Sequence, residues 1–354
     1  MATEIQNLSS ENLEAVRGLV AEMFSPESFA IVEQAMRNPL LREYPDIPIG
    51  EVAIKDEKPA SFRMAVLRRL YFGQKPILGV VGSTLCSRKG TPGALLLGLL
   101  RKNTASRGGS EIFFTNTSCE ASGKLNRAVG VKGLGPETCA SDHVAVVRLF
   151  AAAIYFIRKA LKHGVRKVPM PRADKNFSVS IDGLTIIRSN TIDQKTLDGF
   201  WEKYLNSNKG LVCSRTGTEV SWMFADRLKD GSIIMLQATK KDSLVGYVFL
   251  KFDSEGAARV LDIIALNNDH ITLGALLKGC AKFMKKCSKH FLLKIAGYPA
   301  GHGKVFERYF KFKRPFGYNP CLYKFEKGHE IDFGNMISAD SWFFGPYDGD
   351  LAMG

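Results

Sequence analysis

The alternation of apolar and polar positions repeats along this chain, with an offset of about 180 residues between two copies. The segments EIQNLSSENLEAVRGLVAEM, from Glu4, and LTIIRSNTIDQKTLDGFWEKY, from Leu184, each predict a short strand, a Ser or Thr cap and an amphipathic helix. The segments VAIKDEKPASFRMAV, from Val52, and LQATKKDSLVGYVFL, from Leu236, each predict a strand, a charged turn and a second strand.

Three further matches follow in the same order. PGALLLGLLRKN, from Pro92, and LGALLKGCAKF, from Leu273, predict helices that open on the same Gly-Ala-Leu-Leu. EIFFTNTS and FLLKIAGY predict buried strands, and GKLNRAVGV and GKVFERYFKF predict a last helix in each copy. Five matches in one order indicate two copies of one α/β unit. The alternative is a generic α/β chain whose elements resemble one another by composition.

The repeat predicts the domain organisation. We expect a first unit over residues 1–165, a basic linker over 166–178, a second unit over 179–330 and a C-terminal tail over 331–354. The tail should pack back on the protein, because its aromatic residues Trp342, Phe343, Phe344 and Tyr347 are costly to leave in water. A helix over about 146–162 is expected to pack between the halves, or to be a final strand followed by a short helix.

Composition narrows the class of protein. The chain has 354 residues, of which 45% are hydrophobic and 24% charged, as expected of two globular domains. No segment has the length and apolar character of a membrane span, and the scattered cysteines show neither a CxxC pair nor metal-ligand spacing. We therefore expect a cytoplasmic protein with no metal and no transmembrane segment.

Charge points to anionic partners. The net charge is +14, and the densest run of basic residues lies between Arg158 and Lys175. This run fits a solvated linker or a strip that docks on an anionic surface, and both interpretations stay open.

The segment GVVGSTLCSRKGTPGALLLGLL predicts a strand that ends near Cys86 and runs through a Gly-containing loop into a helix. The first turn of a helix has unpaired backbone N–H groups and partial positive charge, which suit a diphosphate. Gly90 and Gly93 would let a phosphate approach the backbone, while Arg88 and Lys89 would supply positive charge.

This junction and the order of the elements resemble the GNAT superfamily of acyl-CoA N-acyltransferases. The family loop R/Q-x-x-G-x-G/A is represented by Arg88, Gly90 and Gly93, with Thr91 where the family usually has glycine. The resemblance implies two tandem GNAT-like units, each a mixed, mostly antiparallel sheet flanked by helices. It implies acetyl-CoA, or another acyl-CoA, as co-substrate. The residues implied to bind it are Leu85, Cys86, Arg88, Lys89, Gly90, Thr91, Gly93, Ala94 and Asn116.

Two positions depart from the family pattern. The family often has a tyrosine acid on its last helix, and Asn126 stands at that position here. In the second copy, ALNNDHITLGALL places Asp269 where the first copy has Arg88. An aspartate repels phosphate, so we expect the second junction not to bind acyl-CoA.

The expected activity is direct transfer of an acyl group, for which the resemblance implies acetyl, to an amine of a small molecule, an amino sugar or glycan, or a cell-envelope precursor. A backbone N–H near Leu85 or Cys86 is the expected donor to the thioester oxygen. Candidates for the base are His143, Glu51 and Glu111. Two alternatives remain: a non-catalytic module that binds CoA esters or an anionic partner, and a tRNA-dependent aminoacyl transferase.

Two cysteines in the first unit, Cys86 and Cys119, are candidate nucleophiles. No activating group adjoins Cys86 or Cys119 in the sequence, so we interpret both as buried structural cysteines. The sequence leaves the oligomeric state open.

Overall fold

A computed structural model describes residues 3–105, 110–134, 141–162, 164, 167–171, 176–297, 302–315, 321–326, 342–343, 345–348 and 353. No helix in these ranges is both long and apolar enough to cross a bilayer.

The first half of the chain alternates strands and helices in the predicted order. Its elements are β1 (Thr3–Asn7), α1 (Leu13–Met23), α2 (Ala30–Met36), β2 (Gly50–Lys55), β3 (Lys58–Phe72), β4 (Lys75–Ser87), α3 (Gly93–Thr104), β5 (Ile112–Thr115), α4 (Glu120–Ala128), β6 (Lys132–Gly133), β7 (Ser141–Val146) and α5 (Leu149–Ala160).

The second half follows the same order, with a few additions. Its elements are β8 (Ser178–Ile181), β9 (Leu184–Ser189), α6 (Gln194–Ser207), β10 (Leu211–Cys213), α7 (Gly217–Lys229), β11 (Ile233–Lys240), β12 (Ser243–Phe252), β13 (Ala257–Ala265), α8 (His270–Cys287), β14 (Leu292–Ala296), α9 (Gly303–Tyr309), β15 (Phe312–Pro315), β16 (Leu322–Phe325) and β17 (Trp342–Phe343).

Corresponding hairpins in the two halves have the same turn geometry. The hairpin between β2 and β3 turns at Asp56 and Glu57, which have φ values of 49° and 63°. The hairpin between β11 and β12 turns at Lys241 and Asp242, with φ values of 48° and 62°. Two successive positive φ values are typical of the type I′ turn, whose twist matches that of the flanking strands. The same turn conformation therefore recurs at corresponding positions of the two halves.

The strands form two mixed sheets. The first has the order β1-β2-β3-β4-β5-β16-β6, with β10 paired to β3 and β17 paired to β10, and the second has the order β15-β7-β14-β13-β12-β11-β9-β8. Neighbouring strands are antiparallel except for β4 with β5, β13 with β14 and β10 with β17. Helices flank both sheets, so the predicted fold class is confirmed.

Each half contributes strands to the sheet of the other half. β7 belongs to the first half of the chain, but it pairs with β14 in the second sheet. β16 belongs to the second half, but it pairs with β5 in the first sheet. Each sheet therefore crosses the boundary that the sequence predicts between 1–165 and 179–330. A short apolar strand pattern does not specify its partner, because pairing depends on which sheet edge the folded chain brings close.

The largest hydrophobic cluster contains residues from both halves and from the C-terminal segment. Trp342 and Tyr347 are fully buried in it, and the ring of Trp342 lies edge-on to Phe114 at 5.3 Å. Phe344 and the side chain of Phe343 lie outside the described part of the chain.

A buried ion triad joins the second half to the C-terminal segment. The guanidinium of Arg215 donates to the carboxylates of Asp262, at 3.1 Å, and Asp348, at 3.3 Å. All three side chains are at most 2% exposed. Because a buried charge is costly without its partner, this triad holds the C-terminal segment in place.

Helix α5 does not pack between the halves, so that expectation is wrong. The structure places a strand, β7, before it, and only Ala152 and Tyr155 of the helix are buried. They contact Phe291 and Leu292 at the start of β14 in the second sheet. The other side of the helix faces solvent.

Candidate active-site cleft

Two parallel strands of the first sheet, β4 and β5, separate at one end. The pairing of β4 with β5 stops at Val81 and Phe114. Beyond that point β4 bulges, since Phe62 of β3 pairs with Cys86 while Met64 pairs with Ser83. Thr84 in the bulge has a φ of 43°, which is uncommon for a β-branched residue. The result is an opening between the two strands.

A cleft of about 720 Å³ occupies this opening and extends to the second sheet. Its volume falls within the range of roughly 300–1,000 Å³ that is typical of small-molecule sites. The first half contributes Phe24, Ser28, Ile31, Arg63, Gly82, Ser83, Thr84, Leu85, Thr115, Thr117, Ser118, Cys119, Ser122 and Asn126, and the second half contributes Lys251, Asp253, Arg259 and Leu261.

A buried polar chain forms the floor of the cleft. Arg63, which is 2% exposed, donates from Nη1 to Oδ1 of Asn126 at 2.9 Å, and Asn126 donates to the hydroxyl of Ser118 at 3.1 Å. A Cβ at Gly82 would collide with the guanidinium and with the ring of Phe113, so only glycine fits there. Asn126, at the position of the family acid, therefore holds an arginine in place.

The junction between β4 and α3 is open to solvent. Gly90 has a φ of 85°, and a Cβ added at Gly90 or at Gly93 would meet nothing within 4 Å. The helix begins at Gly93 after Pro92, with no side chain capping it. Among the described residues, the backbone N–H groups of Gly93 and Ala94 have no hydrogen-bond acceptor. These donors are available to a ligand, and the exposed Lys89 lies beside them.

The loop is held by its own polar side chains. Thr91 donates from its hydroxyl to the carbonyl of Arg88 at 2.8 Å. The guanidinium of Arg88 pairs with Glu22 of α1 at 2.9 Å and donates to the carbonyl of Pro59 at 2.8 Å. Its charge is thus shared with a carboxylate, which makes it a weaker phosphate ligand than the sequence suggests.

Three other predicted cofactor contacts lie along the parted strands. Leu85 lines the cleft, whereas Cys86 is buried against the core, where burial raises the pKa of its thiol to about 12. Asn116 follows β5 and is 4% exposed, and its Oδ1 has no hydrogen-bond partner among the described residues. A buried amide oxygen in that state is poised to accept a hydrogen bond from a ligand.

The opposite wall comes from the second half and carries two cations, Lys251 and Arg259, beside Asp253 and Leu261. Arg259 donates to Asp142 at 2.8 Å, while burial and the neighbouring Arg227 and Arg259 lower the pKa of Lys251. Sequence reasoning missed this wall. Its residues sit in ordinary strand patterns, and nothing in the sequence indicates that they face a cleft of the other half.

None of the three predicted bases lines the cleft. His143 lies on β7 in the second sheet, where burial and the nearby Lys313 lower its pKa to about 4. Glu51 is fully buried on β2 and accepts a hydrogen bond from Asn103 of α3. Glu111 precedes β5 at the end of the sheet away from the opening, where its N–H bonds the carbonyl of Leu78 at 2.8 Å.

Cys119 is not the buried structural cysteine that the sequence suggested. It is exposed, lines the cleft and stands immediately before α4. Hydrogen bonds from Ser122 lower the pKa of its thiol. Its position directly before a helix was the available signal, because the amino end of a helix favours a negative charge.

Comparison with known proteins finds structures of similar fold but no relative that is recognisable by sequence. No protein-family model matches the chain, and no curated protein matches it either. Solved structures do. A GCN5-related N-acetyltransferase from Kribbella flavida superposes with a TM-score of 0.57 at 12% identity, covering 92% of this chain and 71% of that one.

Two further structures agree. A GCN5-related N-acetyltransferase from Anabaena variabilis gives a TM-score of 0.54 at 11% identity, over 92% of this chain and 73% of the other. The N-myristoyltransferase of Saccharomyces cerevisiae, solved with bound myristoyl-CoA, also gives 0.54, at 12% identity over 100% of this chain and 85% of the other. The chain has the GNAT fold.

The second GNAT-like half has a different junction. Asp269 caps α8, where its carboxylate accepts hydrogen bonds from the N–H groups of Ile271, at 3.2 Å, and Thr272, at 2.9 Å. The donor at the second helical position, which stays open at Ala94 in the first half, is therefore occupied at Ile271 in the second. No cluster of three His, Cys, Asp or Glu side chains suited to a metal ion occurs in the described ranges.

Proposed function

We propose that this protein transfers an acyl group from an acyl-CoA thioester to an amine in the cleft between its two halves. One observation carries the proposal. The parting of β4 from β5 leads, along a single strand, to an uncapped helix start with free backbone donors. A long ligand with a diphosphate at one end and an extended arm matches that arrangement.

The co-substrate would lie along the first half. Its diphosphate would accept hydrogen bonds from the N–H groups of Gly93 and Ala94, with Lys89 nearby. Its amide-containing arm would run between the strands past Asn116. The thioester would then reach the bulge at Thr84, where backbone N–H groups that have left the ladder polarise its oxygen.

The reaction is an aminolysis of a thioester. The nitrogen of the acceptor forms a bond to the carbonyl carbon, the carbon–sulfur bond breaks, and one proton passes from the nitrogen to the sulfur. Hydroxyls of Ser118 and Ser122 line this part of the cleft and supply a path for the proton. The main contribution of the chain is to hold two reactants together, which by itself is a large effect.

The second half supplies the acceptor side. Lys251 and Arg259 favour an amine whose molecule also carries a negative group, such as a phosphorylated amino sugar or a charged envelope precursor. Acetyl is the acyl group to test first, with a long-chain acyl group as the comparison.

Two measurements test the proposal. Titration calorimetry with CoA should give binding, and release of free thiol from acetyl-CoA or myristoyl-CoA should depend on an added amine. We expect glucosamine 6-phosphate to be a better acceptor than glucosamine. Binding without thiol release for any amine would favour a sensing module, and absence of CoA binding at millimolar concentration would overturn the proposal in favour of another acyl donor, such as an aminoacyl-tRNA.

A further inference from the structure

Helix α5 exposes apolar side chains to solvent. Its inward side is small, since Ala152 and Tyr155 alone are buried. The large apolar side chains on its outward side are Leu149, Phe150, Ile154, Phe156 and Ile157, followed by Leu161 just after the helix, and they are between 50% and 84% exposed. Single exposed apolar residues are common on proteins, but six on one helix form a continuous patch.

The pattern is the reverse of an ordinary surface helix. At about 100° per residue, these side chains together with Ala153 and Ala160 cover roughly 160° of the helix circumference. That arc is opposite the side on which the helix packs against Phe291 and Leu292. A surface helix normally places polar residues there. The exposed side of α5 is thus built for an apolar environment.

Basic residues border the apolar arc. Arg158 and Lys162 are exposed between the arc and the packed side, and Lys167 follows after the helix. Lys159 projects from the packed side instead, where it contacts the hydroxyl of Tyr155 and the carboxylate of Glu255. An apolar face with cations along its edge suits the boundary between lipid head groups and acyl chains.

We infer that α5 seats this protein on the surface of an anionic phospholipid bilayer. The charges favour this occupant over a second copy of the chain. Two copies that met through α5 would bring their Arg158 and Lys162 side chains together. Those cations would repel one another, and so would the two chains, since each chain has a net charge of +14. An anionic bilayer neutralises the same cations and covers the apolar arc at once.

The surface does not depend on acyl transfer. The residues of the arc do not line the cleft, and α5 touches the cleft only indirectly, through the bond from Tyr155 to Glu255 in the turn that begins at Asp253. Membrane binding can therefore be measured on the full-length protein without any substrate, and the result stands whether or not the proposed activity is found.

Flotation with vesicles tests the inference. We expect the wild-type protein to float with vesicles of phosphatidylcholine and phosphatidylglycerol, and to bind pure phosphatidylcholine at least about tenfold less. The double variant Phe150→Gln, Ile157→Gln should lose most binding to the anionic vesicles. Arg158→Gln with Lys162→Gln should reduce it to the level of the neutral vesicles. Ile271→Gln, an exposed apolar residue of α8, is the matched control and should bind normally.

Three outcomes would overturn the inference. The first is equal flotation of wild type and the Phe150→Gln, Ile157→Gln variant, which would show that binding is electrostatic only. The second is no binding to anionic vesicles. The third is a dimer in analytical ultracentrifugation that the same double variant dissociates, which would make a second copy the occupant. Phe150→Trp gives an independent readout, because insertion should shift its emission to the blue.

Discussion

The two strand–helix junctions of this protein share one position in the fold and differ in what their helix ends bind. In the first, α3 begins at Gly93 with no capping side chain, beside two glycines with open space around them. In the second, the carboxylate of Asp269 occupies the first donors of α8. The comparison teaches that two halves of similar fold can differ in a single helix cap, which decides whether the backbone donors of that helix start are satisfied from within.

The sharpest test places the same negative charge at both helix starts. Ala94→Glu should weaken CoA binding by at least about tenfold, or ~1.4 kcal/mol, because it puts a carboxylate where the diphosphate would lie. The fold should survive, since an acidic residue in the first turn favours a helix. Ile271→Glu is the matched control at the second position of α8.

Calorimetry with CoA would measure both variants, and circular dichroism would check their helices. We expect the Ile271→Glu protein to bind as the wild type does. If both variants lost affinity to the same degree, or neither did, the difference between the two junctions would not concern CoA.

The cleft can be probed through its exposed cysteine. Iodoacetamide should modify Cys119 faster than Cys280, because Cys119 is exposed with a lowered pKa while Cys280 is buried with a raised one. Acyl-CoA should protect Cys119 several-fold if it occupies the parted strands. Peptide mass spectrometry would follow each site. Unchanged labelling in the presence of a saturating CoA ester would contradict the placement of the ligand.

A milder pair of substitutions separates charge from capping. Arg88→Ala should weaken CoA binding only a few-fold, because Glu22 already shares its charge. Asp269→Ala should leave CoA binding unchanged and instead lower the free energy of unfolding by about 1 kcal/mol, through the lost cap. Calorimetry and urea denaturation would report the two effects. Equal effects of the two substitutions on CoA binding would contradict the assignment of the CoA site to the first half.

The exchanged strand β7 makes a pH-dependent contribution to stability. Burial lowers the pKa of His143 from 6.5 to about 4, so between those pH values the unfolded chain binds a proton that the folded protein does not. The free energy of unfolding should therefore fall as the pH falls through that window. His143→Gln should flatten the dependence, measured by urea denaturation across pH.

The same variant should keep its rate of acyl transfer near neutral pH, because His143 does not line the cleft. A histidine that served as the base would instead remove a limb of the pH–rate profile on substitution. That result would return His143 to the candidate site.

Much of the first-half site was predictable from local chemistry. The glycine loop, the strand before it and the helix after it belong to one continuous segment, and Leu85 of that strand lines the cleft. The same local reasoning did not predict which side chains lie away from the cleft, and all three candidate bases do. His143 is in the first half of the sequence, yet pairs between β14 and β15 of the second sheet.

The cleft wall that contains Lys251 and Arg259 shows most clearly what the sequence could not predict. Lys251 and Arg259 belong to strands whose pattern predicts only a buried sheet, and they face a cleft that is formed by the other half. A sequence segment records the period of its own strand, but not which surface packs against it. α5 gives the converse case, since its apolar stripe predicted burial and the structure leaves that stripe in solvent.

The amino-acid sequence by itself determined the duplicated α/β order, the hairpin turns and the difference between the two helix starts. These features depend on neighbours in the chain, whose hydrogen bonds and backbone angles are local. Only the tertiary structure decided the exchange of β7 and β16, the occupants of the cleft walls and the exposure of α5. These depend on which distant surfaces meet, and many pairings of similar apolar strands are nearly equal in local preference.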